Sequence, residues 1–187
     1  MDIALAVETI LAGASYRGSV TDNTEDAWNK VVWLDDRRGK PTWAEVTAAA
    51  PDPLVEARAR KIAAIDAETS AAILAGFDHP VHGQILHFSY DALDQQNFAD
   101  SANAAALAKM GVPGVPESVT WNGWKIEKDE EGREVSRSLV RLTLAPDEFL
   151  ALYMGGALAH KAAQMETGGA RKAAAEAAPT VEALEAV

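Results

Sequence analysis

His79, His82 and His87 fall in one short stretch beside Asp78, a set of imidazole and carboxylate donors of the kind that holds a transition metal. On a β-hairpin, however, His79 and His87 would have to meet on one face while His82 occupies the turn. The plainer reading is ordinary hairpin residues, and no metal is expected; His160 stands alone. Asp22, Asn23, Glu25 and Asp26 offer oxygen ligands, but a calcium loop also needs a turn glycine and a distal bidentate Glu, so a solvated loop is expected there. Ser89, Ser101, Ser118, Ser136 and Ser138 lie outside any Gly-x-Ser-x-Gly elbow and have no evident base beside them. Gly155-Gly156 lies in a helical stretch instead of a strand-to-helix turn, so it does not form a phosphate loop. The dense run Asp129-Glu130-Glu131 resists the burial that a paired-carboxylate site requires and reads as a solvated turn. Cysteine is absent, which removes thiol chemistry, disulfides and zinc cages. The expectation is a non-enzymatic protein without cofactor or metal.

Two tryptophans carry more information. Trp121 and Trp124 flank Asn122-Gly123, a pair that favours a type I′ hairpin turn because both residues tolerate positive φ. Aromatic faces beside a tight turn can anchor sugars or protein partners. The competing reading is cross-strand core pairing, contributing about 0.5–1 kcal/mol per pair.

The composition limits the partners. The chain has 187 residues, with Lys+Arg 17 against Asp+Glu 28 and a formal net charge of -11. Broad binding to a phosphate backbone depends on clustered Lys and Arg, so nucleic acid is not an expected partner. The longest apolar runs fall short of a membrane span, so no membrane is expected either. Met1-Asp2-Ile3-Ala4-Leu5 lacks the basic start of a secretory leader. Alanine supplies 38 residues, and each buries only one methyl group, so the core should be thin and oligomerisation or a partner would help it.

The elements that must position these groups suggest an α+β fold: a small N-terminal α/β module, a long helix, then short β-hairpins packed with helices. The first module, residues 1–50, has a helix over 2–12 ending at Gly13, β-like stretches at Ser15–Val20 and Trp28–Leu34, and a capping box at Thr42 and Glu45. Tyr16, Trp28 and Trp33 would line its core. Pro51-Asp52-Pro53 marks a boundary, with Asp52 as cap and Pro53 at the first helical position. In the second region, 53–187, the periodicity predicts a helix over 53–75, a hairpin over 80–90 turning at His82-Gly83, a helix over 91–110, strands over 118–142, and helices over 145–187 interrupted at Gly168-Gly169. Val55, Ile62, Ile65 and Ala72 follow a three-four spacing that reads either as a short coiled-coil seam or as an amphipathic helix packed on its own domain. Val55, Ile62, Ile65, Trp121 and Trp124 are therefore the candidate interface residues.

The order of several short motifs resembles a known family. Leu142-Thr143-Leu144-Ala145-Pro146-Asp147-Glu148-Phe149-Leu150-Ala151-Leu152, then Ala159-His160, Lys172-Ala173-Ala174-Ala175-Glu176-Ala177-Ala178 and Thr180-Val181-Glu182-Ala183-Leu184, are similar to an uncharacterised domain that closes small tail-fibre-associated proteins of bacteriophages. Arg58, Arg60, Ile62 and Ile65 leading to Gly76-Phe77, then Phe88-Ser89-Tyr90-Asp91 and Gln95-Gln96-Asn97-Phe98, extend the match. Val32-Trp33-Leu34-Asp35 followed by Lys40-Pro41-Thr42-Trp43-Ala44-Glu45 is similar to an element of XkdW-like phage tail proteins. The stretch Val112–Trp124 is longer than the family pattern. The resemblance implies a structural tail or tail-fibre protein of the virion, assembled in the host cytoplasm. It would contact other tail subunits and be a homo-oligomer, with a trimer as the natural state and the 53–75 helix as seam. An assembly chaperone absent from the mature particle and a receptor- or glycan-binding tail module are the alternatives. The family brings no catalytic or ligand residues with it.

Overall fold

Helix α1 (Ile3–Ile10) starts at Asp2, whose side chain accepts from the Leu5 N–H at 3.0 Å. It buries Ile3, Ala6 and Val7 against Trp28, Val31 and Val46. The structure, a computed structural model, describes residues 2–50 and 52–187; Met1, and Pro51 of the expected boundary, lie outside the described residues. A two-residue strand β1 (Tyr16–Arg17) pairs antiparallel with β2 (Val32–Trp33), and the Tyr16, Trp28 and Trp33 rings pack with centroids 6.2–6.4 Å apart.

Trp28 lies in a helix, not in the expected strand. Helix α2 (Glu25–Asn29) is capped by Thr24, and Trp28 sends its indole N–H to the Pro41 carbonyl at 3.0 Å. The polar run before Trp28 supplies the cap and the acidic first turn that favour a helix. Lys40 closes α2 from the other end, its Nζ donating to the Trp28 and Val31 carbonyls at 2.7 and 2.8 Å. Helix α3 (Trp43–Ala49) carries the capping box foreseen at Thr42 and Glu45.

Helix α4 (Pro53–Leu74) follows, with Asp52 accepting from the Leu54 N–H at 2.9 Å. Strands β3 (Phe77–Val81) and β4 (Gln84–Phe88) form a hairpin closed by His82 and Gly83, both at positive φ. Its arms thus begin and end earlier than the expected 80–90. Helix α5 (Ala92–Lys109) is capped by Asp91. Strands β5 (Val119–Lys128) and β6 (Glu134–Leu144) complete a four-stranded antiparallel sheet in the order β3-β4-β5-β6.

The turn expected at Asn122-Gly123 does not form, and β5 runs straight through both residues. Gly123 is needed for a non-local reason: a Cβ there would stand 3.1 Å from Phe88 Cε1 and 3.2 Å from Leu86 Cδ1. The chain reverses instead at Asp129–Arg133, where Asp129 Oδ1 accepts from the Glu131 and Arg133 N–H groups and Gly132 takes positive φ. Val135 is an extra residue in β6, because Glu127 pairs with Ser136 and Lys128 with Glu134.

The chain ends in helices α6 (Pro146–Leu152), a π-helical turn over Tyr153–Leu158, α7 (Ala159–Ala177) and α8 (Val181–Glu185). The expected break at Gly168-Gly169 is absent. Gly168 is buried against the Thr69 side chain, so its lack of a Cβ serves close approach and does not stop the helix. Helices therefore cover one face of an antiparallel sheet, an α+β architecture with a long helix.

Two compact units divide the chain, Met1–Ile62 with Ala174–Val187, and Ala63–Ala173. The cut falls inside α4 and α7, not at the expected 51–53. Within the first unit, Arg58 donates to the Ala175 and Ala178 carbonyls at 3.2 and 2.8 Å, which ties the start of α4 to the end of α7. Within the second, Leu86, Phe88, Phe98, Leu144, Phe149 and Leu152 form the buried core. No described helix is long and apolar enough to cross a membrane.

Candidate functional site

The five candidate interface residues lie on two elements, α4 and β5, and differ in burial. Ile65 is fully buried within its own chain, whereas Val55 is 56% exposed and Ile62 half-buried. The burial of Ile65 takes that position out of any free stripe along α4. Trp121 and Trp124 lie three residues apart on a strand and therefore point to opposite faces of the sheet. Trp121 points inward, its ring 4.2 Å from Phe98 and 5.2 Å from Phe149 between centroids. Trp124 stands on the outer face between His87 and Leu139, with the Arg137 guanidinium carbon 5.9 Å from its ring.

Both residues nevertheless border one groove of about 480 Å³. Its origin is topological. β4 ends at Phe88 and sets His87 opposite Trp124, so among the described residues Val119–Asn122 has only β6 beside it. On the other side the chain turns into α5, where Asp91 Oδ1 accepts from the Leu93 and Asp94 N–H groups at 2.8 Å each. One turn further, Asp94 and Asn97 share a helix face and line the groove opposite Trp121, Asn122 and Arg141. The side chains of Asp94, Asn97, Asn122 and Arg141 make no hydrogen bond to another described residue. Their donor and acceptor capacity is open to a ligand.

A second, larger cleft of about 630 Å³ is bordered by Gly76, Asp78, His87, Arg137, Gly155 and His160, among others. Its polar groups are mostly engaged with one another. His87 Nδ1 pairs with Asp78 Oδ1 at 2.8 Å, Arg137 grips Glu134 with two contacts at 2.8 and 2.9 Å, and His160 donates through Nε2 to the Ile73 carbonyl at 3.1 Å. The Arg137 contact and the surrounding cations hold the Glu134 carboxyl below the usual range. None of the cleft's lining residues carries a hydroxyl or thiol nucleophile.

The histidines separate as the hairpin geometry requires. His87 turns to Asp78, His82 Nε2 meets Glu148 at 3.1 Å, and His79 packs beside Gly155 and Gly156, where burial lowers its pKa. No cluster of three or more His, Cys, Asp or Glu suited to a metal occurs among the described residues. Asn23, in the calcium-like run, accepts from the Ile3 N–H at 3.3 Å, and Thr24 next to it caps α2.

The sheet's outer face is uncovered. Ile85 is 70% and Leu139 46% exposed, flanked by Arg137 and Arg141. β6, eleven residues long, pairs with β5 on one edge, and among the described residues no strand lies along its other edge.

Residues 56–187 match DUF4376, a domain of unknown function, and the chain belongs to that family. No curated protein and no solved structure matches it.

Proposed function

We propose that this DUF4376 protein is a non-enzymatic structural component of a bacteriophage tail, a tail-fibre-associated or adaptor protein that acts by protein–protein assembly. The open outer face of the four-stranded sheet, continuous with the unpaired edge of β6, is the observation that carries the reading. An antiparallel sheet can leave one face to water, and that face is then usually polar. Here Ile85 and Leu139 occupy it, and covering each contributes about 1–2 kcal/mol at roughly 25 cal/mol per Å². A free strand edge adds backbone donors and acceptors that a neighbouring strand can satisfy. The ordered motifs shared with phage tail-fibre-associated proteins point the same way, and several of them fall in β6, α6 and α7.

The partners are other tail subunits and copies of the same chain, as in a trimer, in the virion after assembly in the host cytoplasm. Self-association would draw on the sheet face, because Ile65 is already buried in α4. A dedicated interface should cover on the order of 1,000 Å² or more.

Mass spectrometry of purified particles from the phage or induced prophage that encodes the chain tests this. The protein should be present at a fixed stoichiometry. The double variant Ile85→Glu, Leu139→Glu should fold, judged by circular dichroism, yet be lost from particles. Absence of the wild-type chain from particles whose assembly requires it would refute the structural role and favour an assembly chaperone.

A further inference from the structure

The groove beside Trp121 and Trp124 has a chemistry that the assembly reading does not use. We propose that it is a carbohydrate site for a neutral, pyranose-containing glycan. Sugar rings present apolar C–H faces and a fringe of hydroxyls, each both donor and acceptor. An aromatic wall suits the first and planar amides or carboxylates suit the second. Trp124, on the outer face with Asn122 and Arg141, supplies the indole surface and is held between His87 and Leu139, whereas Trp121 borders the groove with its ring turned to Phe98 and Phe149. A ring ordered before binding loses little entropy on contact.

The polar fringe is mixed in the required way. Asn97 and Asn122 each offer a donor and an acceptor, Asp94 accepts, and Arg141 donates. With one carboxylate and one guanidinium, the groove is close to electroneutral. A polyanion would meet Asp94 and a chain of net charge -11, so neutral sugar fits better than a nucleotide or phosphate. The groove's volume, about 480 Å³, lies within the roughly 300–1,000 Å³ typical of small-ligand sites. Its polar walls also distinguish it from the apolar sheet face around Ile85 and Leu139.

This inference does not rest on the assembly reading, and the two fail separately. The purified full chain is applied to an array of hexose-, N-acetylhexosamine- and rhamnose-containing oligosaccharides, and each hit is titrated by isothermal calorimetry. Binding to at least one neutral oligosaccharide is expected. Asn97→Ala, at an exposed position, and Asp94→Asn, at a half-buried one, should each weaken it about tenfold, and Trp124→Ala should abolish it. Ile85→Glu alone, on the outer face but outside the groove, should bind sugar as well as the wild type. An array without signal, or a hit whose affinity is unchanged in Asn97→Ala and Asp94→Asn, overturns the assignment. Neither result touches the particle inventory that tests assembly.

Discussion

Adjacent glycines in the π-helical turn allow one packing claim to be isolated. A Cβ on Gly156 would stand 2.5 Å from Phe77 Cε2 and 3.3 Å from His79 Cγ, whereas a Cβ on Gly155 would meet only His79 Cε1, at an ordinary 3.4 Å. Phe77 cannot easily yield, because its ring lies 5.5–5.8 Å from those of Phe88, Tyr90 and Phe98. Gly→Ala in a helix gains about 1 kcal/mol of propensity at either site. Overpacking a filled core costs about 1–3 kcal/mol, and only Gly156→Ala incurs it. The propensity gain cancels between the two variants, so their difference in stability equals the overpacking cost alone. With a urea slope of about 2 kcal/mol/M, a difference of about 2 kcal/mol separates the midpoints by about 1 M. Hydrogen exchange at the Leu86, Phe88 and Leu144 amides confines the measurement to this core. Gly155→Ala should match or exceed the wild type, and Gly156→Ala should fall below it. Equal midpoints, or the reverse order, would refute the idea that Gly156 is kept to seat the turn on β3.

Two further expectations concern the caps and acid. Thr42→Ala removes the acceptor for the Glu45 N–H and should cost about 1 kcal/mol, read from urea unfolding followed by the fluorescence of buried Trp28. Acidification should destabilise the second unit in two stages. Burial lowers the His79 pKa, so below its ordinary value near 6.5 the unfolded chain binds a proton that the folded chain refuses, and stability falls as the pH drops. Below about 4.5 a further loss follows, because the Ala145 N–H and His82 hold the Glu148 pKa down and their contribution disappears as that carboxylate protonates. His79→Phe should flatten the first stage in a series of urea midpoints between pH 5 and 6.5 and leave the second; an unchanged slope would contradict the assignment.

What was readable in the residues was local. The capping box at Thr42 and Glu45, the Asp52 cap before Pro53 and the His82-Gly83 turn each depend on groups a few residues apart, and each forms. Glycine misled wherever its cause lay far along the chain. Gly123 gives way to Leu86 and Phe88, and Gly168 to Thr69, contacts that no local pattern signals. Trp28 carries strand propensity, yet Thr24 and the acidic residues after it, together with the distant Pro41 carbonyl, hold it in a helix. The tryptophans of the groove were conspicuous, but their companions were not. Asp94 and Asn97 reach the groove only because β4 stops at Phe88 and α5 fills the vacated side of β5. That is a fact of strand lengths, not of composition.

The β5–β6 hairpin has one more consequence. At its tip, Lys128–Val135, the residues are almost all solvent-facing, including Val135 at 62% exposure, so this tip is held by its own ladder and by the Asp129–Arg133 reversal. A ribbon supported only by itself is marginal and opens from the tip inward. Whatever grips it would therefore convert a breathing antenna into a stiff strut, and the slowed exchange of its amides would report capture even where the rest of the molecule stays still.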